Sequence, residues 1–140
     1  MPARERVIAI VDDDQPLRDA LQRMLISYGF QVLNFPSARA LLDLQAFDRI
    51  GCMILDIRMP EMSGMALHEH LIASGHIIPT ILITALPTRS ERERAGANGA
   101  ISYLAKPVSE RILLDTIHAA LEHEGVGARK TVTGRVVPGI

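Results

Sequence analysis

The sequence predicts a doubly wound α/β sandwich, a parallel sheet covered by helices on both faces. Two observations carry this. Five short apolar runs occur at 7–11 (VIAIV), 31–35 (QVLNF), 52–55 (CMIL), 80–84 (TILIT) and 100–104 (AISYL), with helical periodicity between them. Four of the five are nearly continuous rather than alternating, the pattern of strands buried on both faces. Strand and helix therefore alternate five times, which right-handed crossovers assemble into one sheet.

The elements follow in order. The first run ends in three consecutive carboxylates, Asp12, Asp13 and Asp14. Asp14 is placed to cap a helix, with Pro16 in its first turn, an apolar stripe of Leu17, Leu21, Met24 and Leu25, and Gly29 closing it. The second run contains Gln31 and Asn34 and reads as an edge strand. Ser37 starts a second helix carrying Leu41, Leu42 and Leu44; a third runs from Ser63 through Leu67 and Leu71 to Gly75. The last helix, after Ser109, repeats Ile112, Leu113, Thr116, Ile117, Ala120 and Leu121. The fourth is different: PTRSERER, 87–94, has no apolar residue but its proline. It reads as a short, loosely held helix anchored by Ala95 and Ala97, with surface pairs Arg89–Glu93 and Glu91–Arg94 worth only about 0.2–0.5 kcal/mol each. Residues 1–124 form the predicted domain and 125–140, with four glycines, a flexible tail.

Composition removes several function classes. At 140 residues the chain fits one domain. With 15 basic and 16 acidic residues there is no broad positive field for direct nucleic-acid binding. The lone Cys52, inside an apolar run, excludes a disulfide framework and a cysteine-rich zinc site, and reads as core. No run approaches the roughly 18 apolar residues of a membrane span and no apolar signal core precedes the first strand, so the expectation is a cytoplasmic chain with no membrane role. The five histidines, His68, His70, His76, His118 and His123, lack metal-ligand spacing and read as surface residues.

In open parallel sheets, ligands bind beyond the carboxyl ends of the strands. The polar residues at those ends are Asp12 and Asp13 after the first run, Asp56 after the third, Thr84 closing the fourth and Lys106 just past the fifth. Two carboxylates about 4 Å apart repel by about 4 kcal/mol at an effective dielectric of 20. Lys106 neutralises one charge of three, so a divalent cation is implied, and hard oxygen donors without histidine or thiol favour Mg²⁺.

These residues, through VDDD, LDIRMPEMSG, ILITA and YLAKP in order, make the stretch from Val7 to about Leu121 resemble the receiver domain of bacterial two-component response regulators. VDDDQPLRDAL and DIRMPEMSGMAL resemble the branch typified by nodulation and nitrogen-fixation regulators. The resemblance implies a flavodoxin-like receiver fold with strand order 2-1-3-4-5, and a signalling switch rather than an enzyme. Asp56 would accept a phosphoryl group from a sensor histidine kinase or a histidine phosphotransfer protein. Asp12, Asp13, Asp56 and the backbone carbonyl of Arg58 would hold Mg²⁺, Thr84 and Lys106 would contact the phosphoryl oxygens, and Thr84 and Tyr103 would form the switch. Self-phosphorylation and autodephosphorylation would be its only chemistry. The face made by the fourth helix, fifth strand and fifth helix would meet a downstream protein partner or form a homodimer. The resemblance also implies a cis peptide between Lys106 and Pro107 and places Arg58 and Leu86 at positions that would line the pocket entrance, while Gly64 reads as a close approach. The competing readings are a phosphate-independent docking module of the same fold, and an aspartate-nucleophile phosphohydrolase, which generally wants an acid where Arg58 stands. A flavodoxin-like carrier would want a Ser/Thr/Gly phosphate loop where the three aspartates stand.

Overall fold

The computed structural model describes residues 7–45 and 47–126, with side chains described through Glu122. Five strands, β1 (Val7–Val11), β2 (Gln31–Phe35), β3 (Ile50–Asp56), β4 (Thr80–Thr84) and β5 (Ser102–Ala105), form one parallel sheet in the order β2-β1-β3-β4-β5. Helices α1 (Gln15–Ser27), α2 (Ala38–Leu42), α3 (Gly64–Ala73), α4 (Arg89–Ala97) and α5 (Glu110–Val126) connect and follow them. The predicted fold class and strand order hold.

Burial follows the apolar runs. Every residue of β1, β3 and β4 is buried, because helices cover both faces of these central strands. β2 is partly exposed, as predicted for an edge. β5 is the other edge, and its last two residues emerge from the core. One core layer joins Ala9, Val11, Met53 and Leu55 to Leu41, Leu67 and Leu71; the other joins Ile8, Ile10, Ile54 and Ile81 to Leu25, Leu113 and Ile117. Cys52 lies fully inside, where desolvation pushes its thiol up to about 12, so it acts as a small apolar side chain.

The predicted helix starts are realised by side-chain caps. Asp14, Ser37 and Ser63 accept backbone amides from Leu17, Ala40 and Ala66, and Ser109 accepts that of Ile112. Gly29 and Gly75 end α1 and α3 with positive φ, 95° and 89°. α2 is shorter than expected, ending at Leu42, and a 3₁₀ turn over Phe47–Arg49 leads into β3. α5 continues two residues past the predicted domain boundary; the rest of the predicted tail lies outside the described residues. Ile112, placed in the apolar stripe of α5, is exposed instead, because the stripe turns inward at Leu113.

The fourth helix corrects the sequence reading. Ala95 is buried but Ala97 is exposed, and among the described residues neither predicted intrahelical pair closes to a salt bridge: Glu91 pairs with Arg58 and Arg94 with Glu69, leaving Glu91 only a weak long-range pull on Arg94. Polar ties to other elements hold α4 instead. Arg94 makes a bidentate pair with Glu69 of α3, at 2.5 and 2.6 Å, and Asn98 donates to the same carboxylate at 2.8 Å. Arg94, first, and then Asn98 hold the Glu69 carboxyl down at about 2.

His68 is a second correction. It is a buried residue of α3, 3 % exposed, not a surface histidine, and its Nδ1 has no hydrogen-bond partner. Desolvation lowers its pKa to about 4, against a slight opposing pull from Glu69. A folded-state value below the ordinary 6.5 means that the unfolded chain binds the proton more tightly, so stability is lost as the pH falls below 6.5 towards 4. The stability difference between wild type and His68→Leu should therefore shift by about 2 kcal/mol in favour of the variant between pH 7 and pH 5. Urea unfolding at the two pH values measures it; a pH-independent difference would refute a buried neutral imidazole.

Candidate functional site: an acidic pocket at the carboxyl end of the sheet

Strand register assembles the pocket. Parallel pairing of Val11 with Leu55 sets Asp12 and Asp56, the next residue on each strand, side by side. Asp56 pairs with Ile83 and Thr84 with Ala105, so Thr84 and Lys106 complete the same edge of the sheet. The Lys106–Pro107 peptide is cis. Local ties fix the first loop: Asp12 Oδ1 accepts the Asp14 amide at 2.9 Å, and Arg18 donates to the Asp12 carbonyl at 2.7 Å and to Asn34 at 2.5 Å. Arg18 thereby clamps β1, α1 and the edge strand together.

Asp12 is 0 % and Asp56 3 % exposed, whereas Asp13 is exposed. Carboxylate oxygens of these three residues lie within 4.8 Å of one another. Lys106 Nζ sits 3.1 Å from Asp12 Oδ2 and 3.1 Å from Asp56 Oδ1, bridging the two buried acids. Asp12 Oδ2 is within ion-pair distance of the ammonium yet receives no hydrogen bond of proper geometry, so a buried oxygen keeps lone-pair capacity.

The charges perturb one another. Burial raises the Asp12 carboxyl, against the Asp14 amide and Lys106, which lower it. Burial also raises Asp56, reinforced by the charge on Asp12 and opposed by Lys106. Burial works against the Lys106 charge, but Asp12 and Asp56 together outweigh it and hold the ammonium above its ordinary value. One cation among three acids leaves the pocket under-neutralised. All-oxygen donors, close spacing and a buried Asp12 oxygen with lone-pair capacity beyond its Lys106 contact fit a hard divalent cation.

Two further residues shape the site. The Gly64 backbone lies so close that a Cβ there would strike the Asp56 carbonyl, because α3 begins directly against the end of β3. Thr84, fully buried, accepts the Leu86 amide at Oγ1 (3.1 Å), which leaves its hydroxyl proton to donate.

Of the residues read from sequence, Asp12, Asp13, Asp56 and Lys106 are brought together by measured distances and Thr84 by strand register. The Arg58 guanidinium points elsewhere, donating to the Leu86 carbonyl at 2.8 Å and pairing with Glu91 of α4 at 2.8 Å. Tyr103 is 4 % exposed, its hydroxyl accepting the Thr88 amide and donating to Glu91, each at 2.9 Å. Sequence reasoning missed the ties of Glu91, whose partners are 12 and 33 residues away, and Arg18, whose partners are 6 and 16 residues away.

A raised carboxyl pKa means the folded state binds the proton more tightly than the unfolded chain, so metal-free stability falls as pH rises above the ordinary 3.8. Asp56→Asn should raise the thermal midpoint of the metal-free chain by a few degrees at pH 7, an advantage that vanishes in acid. Calorimetry in chelator across pH 3–7 is the measurement, and an unchanged or lower midpoint at pH 7 counts against the electrostatic reading. Gly64→Ala should cost about 1–3 kcal/mol by overpacking against Asp56, seen in denaturant unfolding.

Comparison with known proteins agrees with this geometry. The model of the response regulator receiver domain family matches residues 8–118. The response regulator protein TmoT of Ectopseudomonas mendocina is 40% identical over 122 residues, covering 87% of this chain and 56% of TmoT. Nodulation protein W of Bradyrhizobium diazoefficiens is 34% identical over 118 residues, 84% of this chain and 52% of that protein. The crystal structure of FixJ-N superposes with a TM-score of 0.77 at 34% identity, covering 88% of this chain and 97% of that one. The chain spans about half the length of the curated relatives it matches. With the sheet order, the acidic pocket and the family match in agreement, the chain belongs to the response regulator receiver domain family.

Proposed function

We propose that the domain is a phosphorylation-dependent signalling switch whose phosphoacceptor is Asp56. The observation that carries this reading is the buried Asp56 carboxylate, paired with Lys106 at 3.1 Å and within 4.8 Å of two further carboxylates. A carboxylate oxygen of Asp56 attacks the phosphorus of a phosphohistidine on a sensor histidine kinase or histidine phosphotransfer protein. The P–N bond breaks as the acyl phosphate forms, and the released imidazole nitrogen takes a proton. Phosphoryl transfer needs mainly positioning and stabilisation of charge on the equatorial oxygens. The Lys106 ammonium supplies charge, and the Thr84 hydroxyl donates a hydrogen bond. Asp12, Asp13, Asp56 and the Arg58 carbonyl would hold Mg²⁺, which, when bound, neutralises the carboxylates and the phosphoryl oxygens. Water reaching the same phosphorus accounts for autodephosphorylation.

The readout is a changed α4–β5–α5 face presented to a downstream protein or a second copy of the chain. Within the described residues no helix is long and apolar enough to cross a membrane, and a net charge of −1 gives no broad positive field, so the partner in this reading is another protein. A phosphate-independent docking role gives no account of the buried Asp56–Lys106 pair.

Incubation with acetyl phosphate and Mg²⁺, followed by intact mass measurement, should give one phosphoryl adduct on wild type, about 80 Da from the composition of the added group, and none on Asp56→Asn. Omitting Mg²⁺ should slow adduct formation at least about tenfold. No adduct on wild type, or an equal adduct on Asp56→Asn, would reject the assignment.

A further inference from the structure

Glu91 joins two parts of the molecule that the proposed reaction leaves separate. Only 18 % of its side chain is exposed. Its Oε2 pairs with Arg58 Nη1 at 2.8 Å, while Oε1 accepts from Arg58 Nη2 at 3.2 Å and from the Tyr103 hydroxyl at 2.9 Å. Arg58 reaches onward to the Leu86 carbonyl at 2.8 Å, and the Leu86 amide donates to Thr84 Oγ1 at 3.1 Å. On the other side, the Tyr103 hydroxyl accepts the Thr88 amide at 2.9 Å, and Thr88 Oγ1 accepts the Glu91 amide at 3.1 Å. The next residue, Arg92, lies over the Tyr103 ring, 4.9 Å from its centroid. A continuous chain of polar contacts thus runs from Thr84 at the acidic pocket through Leu86, Arg58 and Glu91 to Tyr103.

A solvated surface pair would be worth little. This carboxylate differs because it is mostly covered, forked onto a guanidinium and shared with a phenol on a 4 % exposed residue. The two halves of the Leu86 peptide framework report to both sides: its amide holds Thr84 and its carbonyl holds Arg58. Thr84 can donate its free proton without giving up the Leu86 amide, but a rotation that carried Oγ1 itself into the pocket would take that acceptor away, loosen the Leu86–Arg58 contact and move the guanidinium on the carboxylate that also holds Tyr103.

We propose that Glu91 is the positioning residue that couples occupancy of the acidic pocket to Tyr103 and the α4–β5 face, through the Arg58–Glu91–Tyr103 contacts. The proposal rests on the reading of the pocket as a phosphoacceptor site. Coupling of this kind is reciprocal, so a partner that pulls α4 away also changes ligand affinity in the pocket.

The chain has two tyrosines and no tryptophan, so Tyr28→Phe leaves Tyr103 as the sole tyrosine emitter. The full chain carrying Tyr28→Phe is titrated with beryllium trifluoride and Mg²⁺, and binding is followed independently by calorimetry. The expected result is saturable binding with a change in Tyr103 emission. Adding Glu91→Ala should leave binding measurable, with affinity altered by no more than about tenfold, while the emission change falls by more than half. Glu91→Gln, which keeps an acceptor for the phenol but not the charge for Arg58, should fall between. A full emission change in Glu91→Ala, or binding to the parent chain without any emission change, overturns the coupling role. Absence of binding by the parent chain instead overturns the pocket reading, and the coupling with it.

Discussion

The domain depends on one electrostatic arrangement: two carboxylates buried at adjacent strand ends and bridged by a single ammonium. Asp12 and Asp56 meet because β1 and β3 are parallel neighbours in one register. A slip of one residue would turn both side chains to the opposite faces of the sheet and place apolar residues at the rim. Apolar burial along β1, β3 and β4 therefore fixes the position of charges that, taken alone, disfavour folding. Lys106, on the far edge strand side, reaches both acids only because β4 and β5 continue the same parallel order.

The two kinds of cohesion in the molecule are spatially separated. Most helices are seated on the sheet by apolar contacts, and α1, α2 and α3 also carry clean side-chain caps. α4 has one buried residue, Ala95, and is held by Glu69, Arg58 and Tyr103. Apolar burial is non-directional and tolerates small shifts. Charged hydrogen bonds are directional, so a small displacement at Thr84 or Arg58 has a larger proportional effect on α4 than on any apolar-seated helix. A helix tied this way can change its partners without exposing a core.

Legibility in the sequence follows the range of the interaction. The continuous apolar runs, the caps at Asp14, Ser37, Ser63 and Ser109, and the glycine stops at Gly29 and Gly75 are local signals, and the structure realises each of them. Asp12, Asp13, Asp56 and Lys106 were legible because each directly follows an apolar run, and in a parallel sheet all such positions share one edge. His68 was not, because a histidine among the polar positions of α3 gives no local sign of which face it occupies. The true partners of Glu91 and Arg94 were illegible for the opposite reason: helical spacing supplied plausible i,i+4 neighbours, while Arg58, Tyr103 and Glu69 offered better geometry from other elements. β5 read as fully buried because its residues are apolar, but edge position is a property of the sheet order.

The charged segment that looked like an ordinary solvated surface is therefore the part of the fold whose attachment most resembles that of the pocket. In both places a covered carboxylate is satisfied by a cation from another element, Lys106 for Asp56 and Arg58 for Glu91. The two clusters are linked through Thr84 and Leu86 by hydrogen bonds, not by the core. Negative charge added at Asp56 would act on the first cluster directly, and the second is a polar set reached from it through Thr84 and Leu86. The apolar sheet thus carries two ionic clusters on its rim, one across the ends of β1, β3 and β5 and one tying α4 to β5 and the loop after β3.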